Sequence, residues 1–246
     1  MHQKDRLEDI LAILKKQGYV TVKYLTEQLH YSTATINRDL NYLQNQRMVK
    51  RSYGGVELTG NTNASMVFRY HKMRTVKSQL AKKAAEFIKN GDVIFIDGTT
   101  TTQHIAPYIT DRKDLTVITN NVALVPYLSK YGIKVICLGG AVAEVPYILS
   151  GVETVENAAR YRADKVFFSA GAMMLDGGIS TGYALLLQTM LRNANHRYLL
   201  MDHKKIVPMA RVVHLHLSEV DTLISDYDFD ADTMAAFPDT TFICVK

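Results

Sequence analysis

The sequence predicts an α/β protein in two parts: a small helical module with a hairpin, then an open, mostly parallel α/β sheet. Three patterns support this fold class. Over residues 6–46, apolar side chains recur at spacings of three and four, which is typical of short amphipathic helices. A Gly-Gly pair at 54–55 then separates two short runs, as in a β-hairpin. From residue 76, short apolar strands alternate with helical segments, which indicates a parallel sheet covered by helices.

Composition limits the class of protein. A chain of 246 residues with 47% hydrophobic and 22% charged residues can build a core in one large or two modest domains. No apolar run reaches the roughly eighteen residues of a membrane span, and the polar start is unlike a secretory signal, so a cytoplasmic location is expected. Cys137 and Cys244 lie in apolar strand-like runs, which predicts buried thiols rather than a disulfide.

Charge is unevenly distributed along the chain. Residues 1–90 contain 16 Lys and Arg against 7 Asp and Glu, whereas residues 91–246 contain 13 against 17. A basic front half suits contact with a polyanion such as nucleic acid. Chance clustering of charge on a solvated face is the open alternative.

Residues 1–58 are predicted to form a winged helix-turn-helix. Gly18 ends a first helix as a left-handed cap. Thr21 and Ser32 are N-cap candidates for a second and a third helix, which a short turn separates. The hairpin around Gly54-Gly55 follows the third helix as a wing. In this fold the third helix enters the major groove and reads bases.

Polar residues at the start of the third helix and in the wing are candidate DNA contacts. Arg38 suits a bidentate contact to guanine or a pair with a phosphate, and Asn37 suits adenine or simply faces water. Asp39 is more typical of an ion pair with a basic neighbour. Wing residues suit phosphate contacts. The candidate set is Thr21, Ser32, Thr33, Thr35, Asn37, Arg38, Lys50, Arg51 and Tyr53.

Residues 59–75 are predicted to be a linker, and residues 76–246 a second, ligand-sensing domain. Ligands of open α/β sheets bind beyond the carboxyl ends of strands, and polar or Gly-rich turns follow several strands here. The threonine run 99–102 suits an anionic phosphate, although a simple capping turn has the same composition. The candidate set is Asp97, Gly98, Thr99, Thr100, Thr101, Thr102, Asn120, Gly139, Gly140, Gly171, Asp202 and Lys205.

Other titratable residues near these turns allow more than one interpretation. Lys205 can supply a point charge to a phosphate, or it belongs with Asp202 to a turn of solvated charges. His104 either touches the ligand or is a partly exposed structural histidine. His214 and His216 alternate on a strand without an obvious third ligand, so neither a metal nor a cofactor is expected.

The N-terminal segment resembles the DeoR family of bacterial transcriptional regulators. The reading helix of that family usually has S-x-x-T-I-R-R-D-L, and its wing ends in R-x-x-G-G. The matching residues here are Ser32, Thr35, Ile36, Arg38, Asp39, Leu40, Arg51, Gly54 and Gly55. Asn37 replaces the first arginine of the pair, which implies an altered base preference.

The resemblance continues over nearly the whole chain. The effector domain of the family carries D-S-G-T-T-T, V-T-N-S, a G-G turn and D-S-S-K-F-G, is similar to ribose-5-phosphate isomerase, and typically answers to phosphorylated sugars. The matching residues are Asp97, Thr100, Thr101, Thr102, Thr119, Asn120, Gly139, Gly140, Asp202 and Lys205. Departures at Thr99, Leu185, Leu187 and Val207 imply a less usual sugar phosphate or weakened sensing.

The predicted function is DNA-binding transcriptional regulation, as a repressor of a sugar-metabolism operon that a phosphorylated sugar controls. Because one small DNA-binding head binds weakly, a homo-oligomer, dimer or tetramer, is expected. One alternative is a sugar-phosphate isomerase-like enzyme with a fused DNA-binding head, with Asp97, Asp176 and Asp202 as acid–base groups. The absence of a dedicated carboxylate pair argues against enzymatic activity. The other alternative is an activator with a vestigial pocket.

Overall fold

The computed structural model describes residues 3–46, 48–52, 55–59, 69–70, 73–144 and 148–245, without the side chains of Lys4, Ser52 and Glu144. The chain divides into two compact units, residues 1–72 and 73–246. Most of the predicted linker, together with Tyr53 and Gly54 of the predicted wing turn, lies outside the described residues. The proposed domain limits therefore stay a prediction.

Over the described part of residues 3–59, the first unit contains three helices and a three-stranded antiparallel sheet in the order β1-β3-β2. The predicted hairpin is present as β2 and β3, and β1 is an added strand that the sequence did not predict. The elements are α1 (Gln3–Gln17), β1 (Tyr19–Thr21), α2 (Val22–Leu29), α3 (Thr33–Asn45), β2 (Val49–Ser52) and β3 (Gly55–Leu58).

Local capping explains where these helices begin and end. Gly18 has φ +74° and closes α1, with its N–H bonded to the carbonyl of Leu14. Thr21 caps α2, since its Oγ1 accepts from the N–H of Tyr24 at 3.0 Å. The three helices share one core. Of the residues predicted from their periodicity, six are buried in it, and Leu7, Leu11, Val22 and Leu29 pack against it partly buried. The buried six are Ile10, Leu14, Leu25, Ile36, Leu40 and Leu43.

The second unit is built on a seven-stranded sheet in the order β15-β14-β12-β9-β4-β5-β6, in which every neighbouring pair is parallel. The predicted parallel α/β fold class is therefore confirmed. The strands are β4 (Val93–Ile96), β5 (Thr116–Thr119), β6 (Lys134–Cys137), β9 (Ala163–Phe168), β12 (Ala194–Met201), β14 (Thr222–Ser225) and β15 (Thr241–Cys244).

Helices cover both faces of this sheet. On β4, Phe95 packs into the core on one face, whereas Ile94 and Ile96 pack into the core on the other. Burial on both faces explains why the strands are continuous apolar runs. The helices are α4 (Arg74–Ala85), a 3₁₀ helix (Thr102–Tyr108), α5 (Leu124–Ser129), α6 (Val152–Ala159), α7 (Ala184–Arg192), 3₁₀ turns at His203–Lys205 and Leu217–Glu219, and α8 (Ala231–Ala235).

Short antiparallel strands lie outside the main sheet, and one of them, Leu215–His216, falls in the strand predicted around His214 and His216. One pair is β7-β8, and a second small sheet has the order β10-β11-β13. The strands are β7 (Ala141–Glu144), β8 (Ile148–Ser150), β10 (Ala172–Met173), β11 (Gly178–Ser180) and β13 (Leu215–His216).

The prediction that both cysteines are buried is wrong. Cys137 ends β6 and Cys244 ends β15, and both are exposed free thiols. The physical reason is strand order, because β6 and β15 are the two outer strands of the seven-stranded sheet. An edge strand is covered less completely than a central one, even when its sequence is equally apolar.

Candidate functional site

The reading helix α3 presents the polar residues of its first turns to solvent. Ser32, Thr33 and Arg38 are exposed, and Thr35 is half-buried. Ser32 also caps the helix, since its Oγ accepts from the N–H of Thr35 at 3.2 Å. The opposite side of the helix supplies Ile36 and residues beyond it to the core. The polar edge of α3 is therefore accessible to a duplex, as base reading requires.

Asp39 of α3 is a structural residue rather than a DNA contact. Its carboxylate is fully buried and accepts from Nε and Nη2 of Arg6 at 2.7 and 3.0 Å, and from Gln3 at 3.2 Å. This hydrogen bonding raises the pKa of Arg6 above its ordinary value. Arg6 also lies 5.1 Å above the ring of Tyr31. The interpretation of Asp39 as an ion-pair partner is confirmed.

The wing contacts the reading helix through Arg51. Its guanidinium donates to Oδ1 of Asn37 and, at 2.6 Å, to Oδ1 of Asn41. The sequence suggested that Asn37 either pairs with adenine or faces water. In the structure its Oδ1 instead accepts a hydrogen bond from Arg51. Lys50 is exposed on β2, in register with Glu57 of β3.

Four neighbouring strands bring the predicted effector residues together in the second unit. Asp202 follows β12, Ser169 follows β9, Asp97 follows β4 and Asn120 follows β5. Those strands are adjacent in the order β12-β9-β4-β5, so their carboxyl ends lie side by side at one edge of the sheet.

Asp97 organises the turn that follows β4. One carboxylate oxygen accepts from the N–H and Oγ1 of Thr99, at 3.1 and 2.8 Å, and from Oγ1 of Thr102. The other accepts from the N–H of Ser169 at 3.1 Å. Burial raises the pKa of Asp97, and these hydrogen bonds oppose that shift. The carboxylate thus holds β9 and the threonine turn in a fixed relation.

Two lysines contact neighbouring threonines of this turn. Nζ of Lys205 lies 3.0 Å from Oγ1 of Thr101 and 2.8 Å from Oγ of Ser169, and 3.9 Å from Oδ2 of Asp202. Nζ of Lys77, from α4, donates to Oγ1 of Thr100 at 2.9 Å. The turn is therefore a hydroxyl-rich segment flanked by two cations.

Lys77 and Ser169 were missed by the sequence analysis. Lys77 is only 4% exposed although it is a lysine. A signal existed, because Lys77 shares one helical face with Leu80, Ala81 and Ala84, all buried. A lysine at an apolar face position of a helix indicates a polar contact inside the fold. For Ser169, the only signal in the sequence was its position directly after a predicted strand.

A small, partly open pocket of about 20 Å³ lies beside these strand ends. Predicted effector residues form its polar side, and α7 together with the segment before it forms the remainder. The lining residues are Asp97, Gly98, Thr99, Asn120, Thr181, Tyr183, Leu186, Leu187 and Met190.

Three predicted effector glycines do not line this pocket. Gly140 has φ +107°, and a Cβ there would lie 2.0 Å from Oγ1 of Thr154, so the glycine allows close packing of the turn against α6. The carbonyl of Gly139 accepts from the same threonine at 2.7 Å. Gly171 is exposed and donates its N–H to the carbonyl of Ser180 at 2.9 Å.

The histidines of the second unit have structural contacts. His104 is buried rather than partly exposed, and its Nδ1 lies 2.7 Å from the carbonyl of Thr100. His214 contacts the N–H of Thr181, whereas His216 contacts the carbonyl of Asp176. Within the described ranges, no cluster of three His, Cys, Asp or Glu side chains could hold a metal ion. Likewise, no helix in the described part of the chain has the length and apolarity needed to cross a membrane.

A winged helix-turn-helix with an accessible reading helix, together with an α/β unit that gathers cations and hydroxyls at its strand ends, defines a DNA-binding regulator with a sensor domain. Comparison with protein families agrees. Residues 6–62 match the DeoR-like helix-turn-helix domain, and residues 72–227 match the DeoR C-terminal sensor domain. The chain belongs to the DeoR family of bacterial transcriptional regulators.

Two relatives that align with more than nine-tenths of the chain are repressors. The glycerol-3-phosphate regulon repressor of Escherichia coli K12 is 29% identical over 231 residues, covering 92% of each chain. The lactose phosphotransferase system repressor of Lactococcus lactis is 30% identical over 251 residues, covering 99% of this chain and 98% of that protein. This chain is accordingly a DNA-binding transcriptional repressor, and the enzyme alternative is set aside.

Solved structures include similar folds at low sequence identity. Ribose 5-phosphate isomerase A of Methanocaldococcus jannaschii is 18% identical, with a TM-score of 0.42. The similarity covers 55% of this chain and 56% of that one.

Proposed function

We propose that a phosphorylated sugar or a related metabolite binds at the carboxyl ends of β12, β9, β4 and β5 and controls the affinity of the repressor for its operator. The single observation that carries the proposal is the pair of lysines at the threonine turn. Lys205 and Lys77 contact the neighbouring hydroxyls of Thr101 and Thr100.

The chemistry of this edge suits a phosphate that is joined to a polyhydroxylated body. Lysine ammonium groups bind phosphate as point charges, and threonine hydroxyls donate further hydrogen bonds to its oxygens. Asp202 and Asn120 supply acceptors for sugar hydroxyls at the flanking strand ends. The names of the two relatives refer to a phosphorylated metabolite and to a phosphotransferase system, which supports a phosphorylated effector for this chain.

On the DNA side, α3 supplies base contacts and the wing supplies phosphate contacts. Arg38 is the proposed base-reading residue, because it is exposed on the accessible edge of the helix. Lys50 is a proposed phosphate contact on β2, together with the charge of Arg51. Ser32, Thr33 and Thr35 line the helix start that would approach the groove, and Thr21 lies at the start of α2.

The proposed mechanism is a population shift in a cytoplasmic homo-oligomer. Two reading heads on a symmetric dimer or tetramer bind two operator half-sites with a fixed spacing. The effector binds more tightly to an arrangement whose heads do not match that spacing, and it thereby releases the DNA. Light scattering on the purified chain measures the oligomer size, and a monomer in the DNA complex would exclude this mechanism.

Fluorescence anisotropy of the full chain on an operator selected from random duplexes tests the proposal. A panel of pentose and hexose phosphates is titrated into the complex, with each unphosphorylated sugar as its control. We expect at least one phosphorylated compound to release the DNA while its parent sugar does not. Release by the parent sugars alone, or by no compound, would refute the proposal.

Neighbouring lysines give a matched pair of variants. Lys205→Ala is expected to abolish the response to the phosphorylated compound and to leave DNA binding intact. Lys204→Ala, an exposed neighbour without the threonine contact, is expected to keep both. Loss of DNA binding together with the response in Lys205→Ala would instead make Lys205 a structural residue.

A further inference from the structure

The strand β2 presents two cations on opposite faces of the wing. Side chains alternate along a strand, so Lys50 and Arg51 point in opposite directions. Arg51 lies opposite Val56 in register and shares its face with Val49, and both valines are buried in the core that the three helices share. Lys50 lies opposite Glu57 on the other face. Arg51 is therefore directed towards the helices, although its charge alone would equally suit a phosphate on the outside of the wing.

Two asparagines of α3 hold the guanidinium of Arg51. Asn37 and Asn41 are four residues apart, which places them on the same face of the helix, one turn after the other. Nη1 of Arg51 donates to Oδ1 of Asn41 at 2.6 Å, and Nη2 donates to Oδ1 of Asn37. Arg51 and Asn37 are half-buried and Asn41 is exposed. These three residues, the donor cluster, therefore lie at the surface between the reading helix and the wing.

The donor cluster offers N–H groups to a ligand. Arginine has no acceptor, and it has more N–H donors than the two contacts with the asparagines use. Each asparagine turns its amide oxygen to Arg51, which leaves its Nδ2 group, a donor, for other partners. A base that fits the donor cluster must therefore supply acceptors.

Guanine is the base whose edge fits the donor cluster. In the major groove guanine presents N7 and O6, both acceptors, whereas adenine presents an acceptor beside a donor, cytosine a donor, and thymine an acceptor beside a methyl group. A phosphate also presents acceptors alone, but the donor cluster lies against α3, the helix that enters the major groove in this fold. This position favours a base edge, and the planar fork of an arginine matches N7 and O6 of guanine together.

We propose that Arg51 of the wing reads a guanine of the operator in the major groove, and that Asn37 and Asn41 are positioning residues that hold its guanidinium for this contact. The inference rests on the proposed function, in which α3 supplies base contacts, and it gives the charge of Arg51 a base as its partner. It also turns the preference of Asn37 from adenine towards guanine, because the amide oxygen of Asn37 is engaged with Arg51.

Anisotropy titrations of the full chain on base-substituted duplexes test the proposal. The operator that the wild-type chain selects is changed one G·C pair at a time, and 7-deazaguanine, which lacks the N7 acceptor, replaces each guanine in turn. We expect at least one guanine at which the base change weakens the wild-type complex about tenfold and 7-deazaguanine weakens it in part. Arg51→Lys keeps the charge but not the planar fork, so it should lose this discrimination and keep the salt dependence of binding. If no guanine position responds in the wild type, or if Arg51→Lys discriminates as the wild type does at every position, the proposal is wrong.

Variants of α3 test the positioning role and separate this inference from the proposed function. Asn41→Ala removes one support of Arg51 and should lose part of the discrimination at the same guanine, whereas Gln44→Ala, exposed on the same helix and outside the donor cluster, should keep it. The melting temperature of each free protein shows that the variants fold, and full discrimination by Asn41→Ala would contradict the positioning role. If Arg38→Ala changes a base preference while Arg51→Lys changes none, this inference falls and the proposed function stands. If neither variant changes a base preference, the assignment of base contacts to α3 falls as well.

Discussion

Arg51 of the wing strand β2 donates a hydrogen bond to Oδ1 of Asn37 in the reading helix, and a second one to Oδ1 of Asn41. Because arginine has only donors, both amide oxygens face the guanidinium. Bidentate pairing with adenine uses the oxygen and the nitrogen of an asparagine side chain together. Asn37 can therefore read adenine in that way only by sharing or giving up its contact with Arg51, so the wing influences what the helix reads.

A double-mutant cycle measures this connection. Asn37→Ala and Arg51→Ala should be non-additive in their effect on operator binding, with a coupling of about 0.5–3 kcal/mol, since each removes the same contact. Anisotropy titrations of the four proteins give the coupling. The control cycle pairs Asn37→Ala with Lys50→Ala, which shares the strand but not the contact, and it should be additive. Additivity in both cycles would show that the contact is lost when DNA binds.

Substitutions of Arg38 and Lys50 are expected to change DNA binding in two different ways. Arg38→Ala should weaken operator binding by about 1–3 kcal/mol and relax the base preference at one position, because the side chain reads a base. Lys50→Ala should weaken binding to all sequences and reduce the salt slope by about 0.9, because it meets a phosphate. Salt titrations on operator and mismatched duplexes measure both effects. Unchanged binding of Arg38→Ala would remove Arg38 from the interface.

The two members of the ion pair between Arg6 and Asp39 should contribute unequally to the free energy of unfolding. Arg6→Ala leaves the carboxylate of Asp39 fully buried beside Gln3 alone, whereas Asp39→Ala leaves a guanidinium that is 15% exposed and can reach water. We expect Asp39→Ala to lower the free energy of unfolding by about 1–3 kcal/mol and Arg6→Ala to lower it further. Urea unfolding followed by circular dichroism gives the order. A smaller effect of Arg6→Ala would contradict this account.

Much of the fold could be predicted because each local pattern agrees with the final packing. The periodicity of Ile36, Leu40 and Leu43 predicted the buried face of α3, and the apolar run in residues 92–97 predicted the strand that is β4. The candidate site followed from topology. Thr101 and Lys205 are 104 residues apart, but they follow β4 and β12 of the same parallel sheet, which β9 separates.

What the sequence did not predict depends on contacts between distant segments. The contact of Arg51 with Asn37 requires the docking of the hairpin on α3, which no local pattern encodes. The burial of Lys77 depends on a threonine hydroxyl 23 residues away. The exposure of Cys137 and Cys244 depends on strand order, because equally apolar strands occupy the centre and the edges of the sheet.

Lys77 should contribute to effector binding through its charge. Lys77→Gln keeps a hydrogen-bond donor near Thr100 but removes the cation, so we expect the affinity for a phosphorylated effector to fall by about 1.5–3 kcal/mol. Lys82→Gln, an exposed position on the same helix, is the control and should bind normally. Calorimetry with the phosphorylated compound that releases DNA provides the measurement. Equal affinities of the two variants would restrict Lys77 to a structural role.

The carboxyl group of Asp97 should make stability fall as pH rises. Burial raises its folded pKa above the ordinary value of 3.8, so its contribution to stability is complete below that value and is lost as pH rises through the folded pKa. Asp97→Asn does not titrate, although its amide cannot accept from the N–H of Ser169 as well as from the threonine turn. The stability advantage of wild type over Asp97→Asn should therefore be largest near pH 4 and shrink towards neutral pH.

Asp230 provides a control, because its contribution to stability should change with pH in the opposite direction to that of Asp97. Its carboxylate accepts from the N–H of Thr233 at 2.8 Å, and this bond lowers the pKa of Asp230. Its contribution is present above the ordinary value and is lost as pH falls through the lowered folded pKa, so the advantage of wild type over Asp230→Asn should grow from acid to neutral pH. Urea unfolding by circular dichroism measures both difference curves, below pH 3.8 for Asp230 and above it for Asp97. If the two curves slope in the same direction, burial does not dominate the titration of Asp97.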